Sequence, residues 1–216
     1  MLRVGLTGGL ASGKSTVALQ FRERGLHVLF ADALAHELMQ PGRPVYHEVI
    51  RVFGTDILLA GEGSPIDRAK LAKKAFAAGA SRIAELNAIV HPAVIRAQEE
   101  WMAEVAVRDP HGIAVVEAAL LYEAHAEEQF DKMVVVVAPK ELRIARYAER
   151  VVSGAEGPER ERRLRDAQAD AARRIAAQIP DEVKRGKADF VIDNEGSLAE
   201  LAAQADQVIT ALMSLV

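Results

Sequence analysis

The amino-acid sequence predicts an α/β fold built on a doubly wound parallel sheet, and three observations support this prediction. Short apolar runs of strand length alternate with helical patterns along the 216 residues, which is typical of parallel strands joined by helices. Half of the residues are hydrophobic but only 5% are aromatic, which favours aliphatic helices packed on a sheet. A glycine-rich segment lies between the first strand and the first helix, where a phosphate-binding loop is expected.

The predicted elements follow one another from the start of the chain. Residues 2–6 are an apolar run of strand length, residues 15–24 have a helical apolar face, and Gly25 is a suitable C′ residue for that helix. The other strands are predicted at residues 27–31, 113–116, 132–138 and 189–193. The other helices are predicted at residues 33–39, 45–53, 68–78, from Ser81 to before Pro92, from Pro92 onward, 141–152, from about 159, and from Ser197.

The chain is long enough for one sizeable core, and we expect a single domain with three regions. Residues 33–109 have helical patterns and turns but no strand of the buried type, so they are predicted to be a helical insertion that binds a second substrate. Residues 141–185 are predicted to form a helical lid. The nucleotide-binding core then consists of residues 1–32, 110–140 and 186–216.

The glycine-rich segment matches the pattern G-x-x-x-x-G-K-[ST]. Backbone N–H groups in such a loop form a concave nest, and the helix that follows adds partial positive charge, so the expected ligand is phosphate. Lys14 can reach the β- and γ-phosphates, and the Ser15 hydroxyl is the expected protein ligand of Mg²⁺. The predicted phosphate-binding residues are Gly8, Gly9, Ala11, Ser12, Gly13, Lys14, Ser15 and Thr16.

The charge balance and the composition exclude several classes of protein. With 27 basic and 31 acidic residues the net charge is −4, which argues against a general nucleic-acid binder. The sequence has no cysteine, so disulfides and thiolate metal sites are excluded. A signal peptide and an apolar run of membrane-spanning length are not visible either. We therefore expect a soluble, cytoplasmic protein.

Two sets of charged side chains are candidates for chemistry beside the loop. Asp32 follows the second strand, at the sheet edge where open α/β sheets bind ligands, although it is also a suitable N-cap for the next helix. Arg146 and Arg150 share one helical face just after a strand, and guanidinium groups suit a transferring phosphoryl group. A helical hairpin that carries them would close over a nucleotide as a lid and exclude water. The other arginines between residues 141 and 174 are matched by acids and indicate a solvated face.

His91 alone would be interpreted as a structural residue, since its spacing gives it no metal partner.

A set of short motifs extends over nearly the whole chain. The motifs are Gly5 to Thr16, Ala31-Asp32, Phe53-Gly54, Asp67-Arg68, His91-Pro92, Leu120-Leu121-Tyr122-Glu123, Arg146, Arg150, Arg174-Ile175 with Gln178, and Ala188-Asp189 with Asn194. In this order they resemble the dephospho-coenzyme A kinase family of P-loop kinases.

The chain also departs from that family in two places. The family usually has Asp and Pro where this sequence has Glu117 and Ala119, so a role for Glu117 close to the metal is left open. The segment between Arg150 and Arg174 is longer than in the family pattern, so the family does not define the geometry of the closed lid in this chain.

The resemblance implies transfer of the γ-phosphoryl group of ATP, bound with Mg²⁺, to the ribose 3′-hydroxyl of dephospho-coenzyme A. It implies no nucleic-acid or membrane partner and leaves the oligomeric state open. Asp32 would orient the hydroxyl and accept its proton, while Lys14 and Arg146 would neutralise developing charge. The other expected contacts are Arg150 with the nucleotide and Asp32, Arg68, His91 and Leu120 with the acceptor.

Three alternatives are also considered. Another small-metabolite or nucleoside monophosphate kinase would share the fold and the loop, because acceptor choice resides in the helical insertion. A nucleotide-switch binding module is disfavoured because the sequence has no Asn-Lys-x-Asp run. An arginine-rich RNA-binding protein is disfavoured by the acidic balance.

Overall fold

The computed structural model describes residues 1–76, 82–154 and 156–216. Five strands form one parallel sheet flanked by helices, and its strand order is β2-β3-β1-β4-β5. This arrangement confirms the predicted fold class. The strands are β1 (Leu2–Gly8), β2 (His27–Phe30), β3 (Ile113–Glu117), β4 (Lys132–Val137) and β5 (Phe190–Asp193).

Strand β1 lies at the centre of the sheet, and its register places the functional loop. It pairs in parallel with β3 on one side and β4 on the other, so all three carboxyl ends meet at one edge. Leu6 is in register with Glu117, and Gly8 is in register with Val136. Glu117 therefore ends its strand beside the start of the glycine-rich loop.

Nine helices are seen in the described parts of the chain. They are α1 (Lys14–Glu23), α2 (Ala31–Leu38), α3 (Pro44–Phe53), α4 (Arg68–Ala75), α5 (Ile83–Arg108), α6 (Lys140–Val152), α7 (Gly157–Ala176), α8 (Asp181–Lys187) and α9 (Leu198–Met213). Short 3-10 turns occur at Thr55–Ile57 and Glu127–Gln129. No helix in the described part of the chain has the length and apolar character to cross a membrane.

The chain divides into two compact units, and the two boundaries fall at the end of β2 and within α5. The first unit, Met1–Leu29 with Val105–Val216, contains the sheet, whose centre is completely buried at Val4, Leu6 and Val134. The second unit, Phe30–Glu104, is helical and has its own apolar core. That core includes Tyr46, Val49, Phe53, Ile57, Leu71, Val90 and Ala93.

Two helix ends agree with their sequence signals. Gly25 adopts a φ of +91° just after α1, as a C′ glycine does. Ser197 caps α9 in a reciprocal capping box with Glu200, which satisfies two N–H groups that the helix itself leaves without an acceptor. The predicted Ser81 cap and the end of the predicted helix 68–78 lie outside the described residues.

Two predictions of local structure are wrong, and one helix was missed. Asp32 is the second residue of α2 rather than its N-cap, because the helix begins at Ala31 directly after β2. Pro92 lies inside α5 and does not separate two helices, because Val90 and Ala93 on either side of it are buried in the core of the helical unit. This burial outweighs the loss of one helical hydrogen bond at the proline. Helix α8 was not predicted.

Candidate active site

A tight loop at the carboxyl end of β1 forms the centre of the site. The Ser12 N–H donates to the Gly9 carbonyl oxygen at 3.1 Å, and Gly13 enters α1 with a φ of +96°. The N–H groups of Lys14 and Ser15 begin α1 and have no acceptor within the helix, so they can bind an anion. The loop contains all eight residues predicted for it, namely Gly8, Gly9, Ala11, Ser12, Gly13, Lys14, Ser15 and Thr16.

Three side chains from the carboxyl-terminal half of the chain hold the backbone of this loop. The Asn194 Nδ2 donates to the Ser12 carbonyl oxygen at 2.8 Å. The Gln178 Oε1 accepts from the Leu10 N–H at 2.9 Å, and the Arg143 Nε donates to the Leu10 carbonyl oxygen at 2.8 Å. Both backbone polar groups of Leu10 are thus bonded to side chains, which preorganises the loop for its ligand.

These side chains approach two glycines of the loop so closely that a Cβ at either position would force the side chain to shift. A Cβ added to Gly9 would lie 2.1 Å from an Arg143 guanidinium nitrogen. A Cβ added to Gly13 would lie 2.0 Å from the Asn194 Nδ2, and the positive φ at Gly13 is itself unfavourable for other residues. The glycines therefore serve the contact with Arg143 and Asn194 as well as the approach of a ligand.

Arg143, on α6, binds this loop and was missed by the sequence interpretation. It is 3% exposed, its charge is paired with Asp181 at 2.8 Å, and it donates a hydrogen bond to the Gln178 Oε1 at 3.1 Å. The sequence indicated Arg146 and Arg150 instead, because all three arginines lie on α6 and spacing does not distinguish a buried one. The only available signal was that Arg143 is the first arginine after β4.

Lys14, Ser15 and Glu117 form a second group beside the loop. The Glu117 Oε1 lies 3.3 Å from the Lys14 Nζ and accepts from the Ser15 hydroxyl at 3.1 Å. Glu117 is only 3% exposed, so its carboxylate has been removed from water and depends on these two partners. The position that the sequence left open as metal-proximal therefore lies directly against the predicted metal ligand, Ser15.

The donor set of this group fits Mg²⁺. The cation prefers oxygen ligands and is held by one or two protein groups together with waters and phosphate oxygens. Ser15 and Glu117 supply such oxygens within hydrogen-bonding distance of each other. The Ser12 hydroxyl in the same loop is buried and has no hydrogen-bond partner among the described residues, as expected for a group that binds a ligand.

Arg146 is brought to the loop through Asn194. It donates to the Asn194 carbonyl oxygen at 3.1 Å and to the side-chain oxygen of the same residue at 3.3 Å. Because Asn194 also binds the Ser12 carbonyl, the guanidinium of Arg146 lies one residue away from the phosphate-binding backbone. Its predicted role in neutralising phosphoryl charge stays a prediction.

Arg150 packs against an aromatic ring between α6 and α7. Its guanidinium lies 5.6 Å from the centre of the Tyr147 ring, and that of Arg174 lies 5.7 Å from it. The Tyr147 hydroxyl donates to Asp170 at 2.9 Å; burial, with this hydrogen bond adding to it, raises the pKa of Tyr147. The contact of Arg150 with a nucleotide therefore also stays a prediction.

A cavity of about 490 Å³ lies at the carboxyl ends of β4 and β5. Arg143 and Asn194 line it, and the same two residues bind the loop. Its apolar lining includes Pro139, Ile175 and Pro180. The cavity therefore adjoins the phosphate-binding backbone and has both apolar and polar walls.

The remaining predicted residues lie at separate places. Asp32 is exposed in the first turn of α2, and Arg68 begins α4, where Asp67 caps the helix. Arg68 also lines a cavity of about 180 Å³ in the helical unit, whereas His91 is exposed on α5 and is not among the described residues that line it. Leu120 is in the first unit, half exposed in a turn after β3.

A glycine-rich loop that joins a central parallel strand to a helix and carries Lys14 and Ser15 against a buried carboxylate defines a P-loop nucleotide-binding protein of the kinase type. Comparison with known proteins identifies the family within this class. The model of the family described as Dephospho-CoA kinase matches residues 2–200. The chain belongs to this family, whose members are ATP-dependent kinases. The resemblance found in the sequence is thereby confirmed.

Individual relatives agree with this assignment. A dephospho-CoA kinase from Anaeromyxobacter dehalogenans is 40% identical over 97% of this chain and 91% of its own length. Among solved structures, TT1252 from Thermus thermophilus has a TM-score of 0.75 and 31% identity, covering 97% of this chain and 96% of its own. A dephospho-CoA kinase from Campylobacter jejuni has a TM-score of 0.61 and 26% identity at the same coverage of both chains.

Proposed function

We propose that this protein transfers the γ-phosphoryl group of ATP to the ribose 3′-hydroxyl of dephospho-coenzyme A, which is the last step of coenzyme A synthesis. The observation that carries the proposal is the loop of residues 8–16, in which Lys14 and Ser15 both contact Glu117. The chain that contains this loop belongs to the dephospho-CoA kinase family. The proposed substrates are small and water-soluble, in keeping with the cytoplasmic location expected from the sequence. No nucleic-acid or membrane partner is part of the proposal.

The first part of the mechanism is the binding of the triphosphate. The loop N–H groups and the amino end of α1 bind phosphate oxygens, and Lys14 contributes a positive charge to the β- and γ-phosphates. Ser15 and Glu117 would hold Mg²⁺, which supplies further neutralisation of phosphate charge when it is bound. The cavity beside Arg143 and Asn194 is our candidate for the base of the nucleotide, because both residues also hold the loop.

The second part is the alignment of the acceptor. Phosphoryl transfer through a loose transition state asks the protein mainly for positioning and for stabilisation of charge on the transferring oxygens. We assign to Asp32 the orientation of the 3′-hydroxyl and the acceptance of its proton. Arg146 is assigned to the developing negative charge, and Arg150 to the nucleotide phosphates.

The third part is the assignment of a role to each region of the chain. Residues 33–109 are proposed to bind dephospho-coenzyme A, with Arg68 and His91 as contacts, and the cavity at Arg68 supports this for one of the two. Leu120, which lies outside this region, is proposed as a further contact with the acceptor. Residues 141–185 are proposed to be the lid. Residues 1–32, 110–140 and 186–216 are proposed to bind the nucleotide.

The proposal is tested by an ADP-release assay with several acceptors. Purified protein is supplied with ATP, Mg²⁺ and dephospho-coenzyme A, and in parallel with AMP, adenosine or small alcohols. We expect ADP release that depends on dephospho-coenzyme A, and a product heavier by one phosphoryl group that ³¹P NMR places on the 3′-oxygen. Release with another acceptor but not with dephospho-coenzyme A would assign the protein to a different kinase activity.

The Lys14→Ala variant provides the control for that assay. Because Lys14 acts on both the bound phosphates and the transferring group, we expect nucleotide affinity and turnover to fall together in this variant. An unchanged rate would mean that the measured activity does not arise at the loop.

A further inference from the structure

An ion pair between a completely buried lysine and a largely buried glutamate plays no part in the proposed mechanism. The side chain of Lys184, on α8, is 0% exposed, and its Nζ lies 2.8 Å from the Glu123 Oε1. The same carboxylate oxygen accepts from the Ile179 N–H at 3.2 Å. Removing the lysine from water completely, and the glutamate for the most part, costs much solvation free energy, so the presence of the pair calls for a reason other than stability.

The segment that Glu123 binds is the one that holds the loop. Gln178 directly precedes Ile179 and accepts from the Leu10 N–H at 2.9 Å. Asp181, the first residue of α8, lies 2.8 Å from an Arg143 guanidinium nitrogen. Gln178 and Asp181 therefore lie close in sequence to Ile179 and Lys184, the two residues that Glu123 binds.

Arg143 completes the connection to the loop. Its Nε donates to the Leu10 carbonyl oxygen at 2.8 Å, and a second nitrogen donates to the Gln178 Oε1 at 3.1 Å. A continuous chain of hydrogen bonds and ion pairs therefore runs from Glu123, through residues 178–184 and Arg143, to both backbone polar groups of Leu10. All members of this chain lie in the first unit.

We propose that Glu123 and Lys184 are positioning residues for the phosphate-binding loop: their ion pair fixes residues 178–184 so that Gln178 and Asp181, with Arg143, hold the loop in its nucleotide-binding conformation. Neither residue is assigned a contact with the nucleotide. Preorganisation of this kind lowers the cost of ordering the loop when phosphate binds. The inference rests on the proposed function only in treating the loop as a nucleotide site, and the acceptor does not enter it.

The experiment replaces the pair by two uncharged side chains of similar length, Glu123→Met together with Lys184→Met. Exchange of a buried ion pair for apolar residues of similar volume commonly preserves stability, so thermal unfolding should show a folded protein. The matched control is Lys132→Met with Asp189→Met. The Asp189 carboxylate likewise binds a lysine at 2.8 Å and a backbone N–H, that of Met133, at 2.8 Å, and both of these partners lie outside residues 178–184.

Two readouts separate positioning from a purely structural role. The first is the dissociation constant of MgADP from calorimetry, and the second is hydrogen exchange of the Leu10 amide, which the Gln178 bond protects. In the double variant at Glu123 and Lys184 we expect each to increase by about tenfold or more, while the control stays within about twofold of the unaltered protein. A folded double variant in which either quantity stays within about twofold overturns the proposal.

A second variant covers the case in which the first does not fold. Glu123→Asp keeps the charge but withdraws the carboxylate by one methylene from both Ile179 and Lys184. The dissociation constant of MgADP and the exchange rate of the Leu10 amide should both rise in this variant as well. Unchanged values would also contradict the proposal. Neither readout uses dephospho-coenzyme A, so a failure of the acceptor assay leaves this test intact.

Discussion

Arg143 donates from its Nε to the carbonyl oxygen of Leu10 at 2.8 Å across 133 positions of sequence. The bond joins α6, the first helix of the predicted lid, to the phosphate-binding loop. Because the same guanidinium also binds Gln178 and Asp181, the loop is connected to the ends of α7 and α8 as well. The conformation of the loop therefore depends on helices that local sequence analysis assigns to another region.

This relationship predicts the effect of Arg143→Lys. A lysine keeps the charge but lacks the planar fork, so it cannot bind Leu10, Gln178 and Asp181 together. We expect MgADP to bind about tenfold more weakly, and the free energy of unfolding in urea to fall by about 1 to 3 kcal/mol. Arg24→Lys is the control, since the pair of Arg24 with Asp206 is at the surface. Unaltered affinity for MgADP would mean that the fork does not hold the loop.

Glu117→Gln tests the acidic group beside Ser15. The amide keeps an oxygen that can accept from the Ser15 hydroxyl, but the negative charge that faces Lys14 and the cation is lost. We expect the Mg²⁺ concentration for half-maximal activity to rise by about tenfold or more, as for other groups that support a metal. Glu159→Gln, on the exposed face of α7, should leave this concentration unchanged. An identical Mg²⁺ dependence in Glu117→Gln would place the cation elsewhere.

Asp32→Asn tests the proposed role of this carboxylate in proton acceptance. The amide preserves shape but cannot accept a proton, so we expect turnover to fall by about 10²-fold or more while the KM for ATP changes by less than about threefold. Glu37→Gln is the matched control on the same helix, since Glu37 is exposed and pairs with Arg43. Near-normal turnover of a folded Asp32→Asn protein would remove Asp32 from the catalytic role.

The parts of the fold that the sequence predicted correctly are those with a local cause. The valine run of β4 has the apolar character of a buried parallel strand, and the Ser197 cap with Glu200 is a four-residue signal. Pro92 shows the limit of such signals. Its local preference for a helix start was overridden by burial of Val90 and Ala93, which depends on residues distant in sequence.

The same distinction holds for the candidate site. Lys14 and Ser15 were located by the spacing of one motif, because loop and helix are adjacent in sequence. Arg143 and Lys184 were missed, because their partners lie far away along the chain and their own neighbours indicate a solvated, ion-paired surface. That interpretation is correct for the exposed pairs of Arg160, Arg162 and Arg163, which lie on the same run of arginines.

Tyr122 provides a test through its ionisation. The ring is 1% exposed, its hydroxyl has no hydrogen-bond partner in the described parts of the chain, and burial, with Glu127 and Asp189 adding to it, raises the pKa to about 12. The ordinary value for a tyrosine is 10.0, so between about pH 10 and 12 the unfolded chain loses this proton while the folded protein keeps it. The stability that the neutral phenol contributes is therefore complete below about pH 10 and is lost as the pH rises toward 12.

Tyr122→Phe should remove this pH dependence without disturbing the fold. At pH 8 we expect a free energy of unfolding within about 1 kcal/mol of that of the unaltered protein, since no hydrogen bond of the hydroxyl is lost. Between pH 10 and 12 the unaltered protein should lose about 2 to 3 kcal/mol more than the variant, which corresponds to the two-unit shift. Urea unfolding of both proteins at pH 8, 10, 11 and 12 measures the difference. Parallel curves over this range would show that Tyr122 ionises as easily in the folded protein as in the unfolded chain, and hence that its ring is accessible to water.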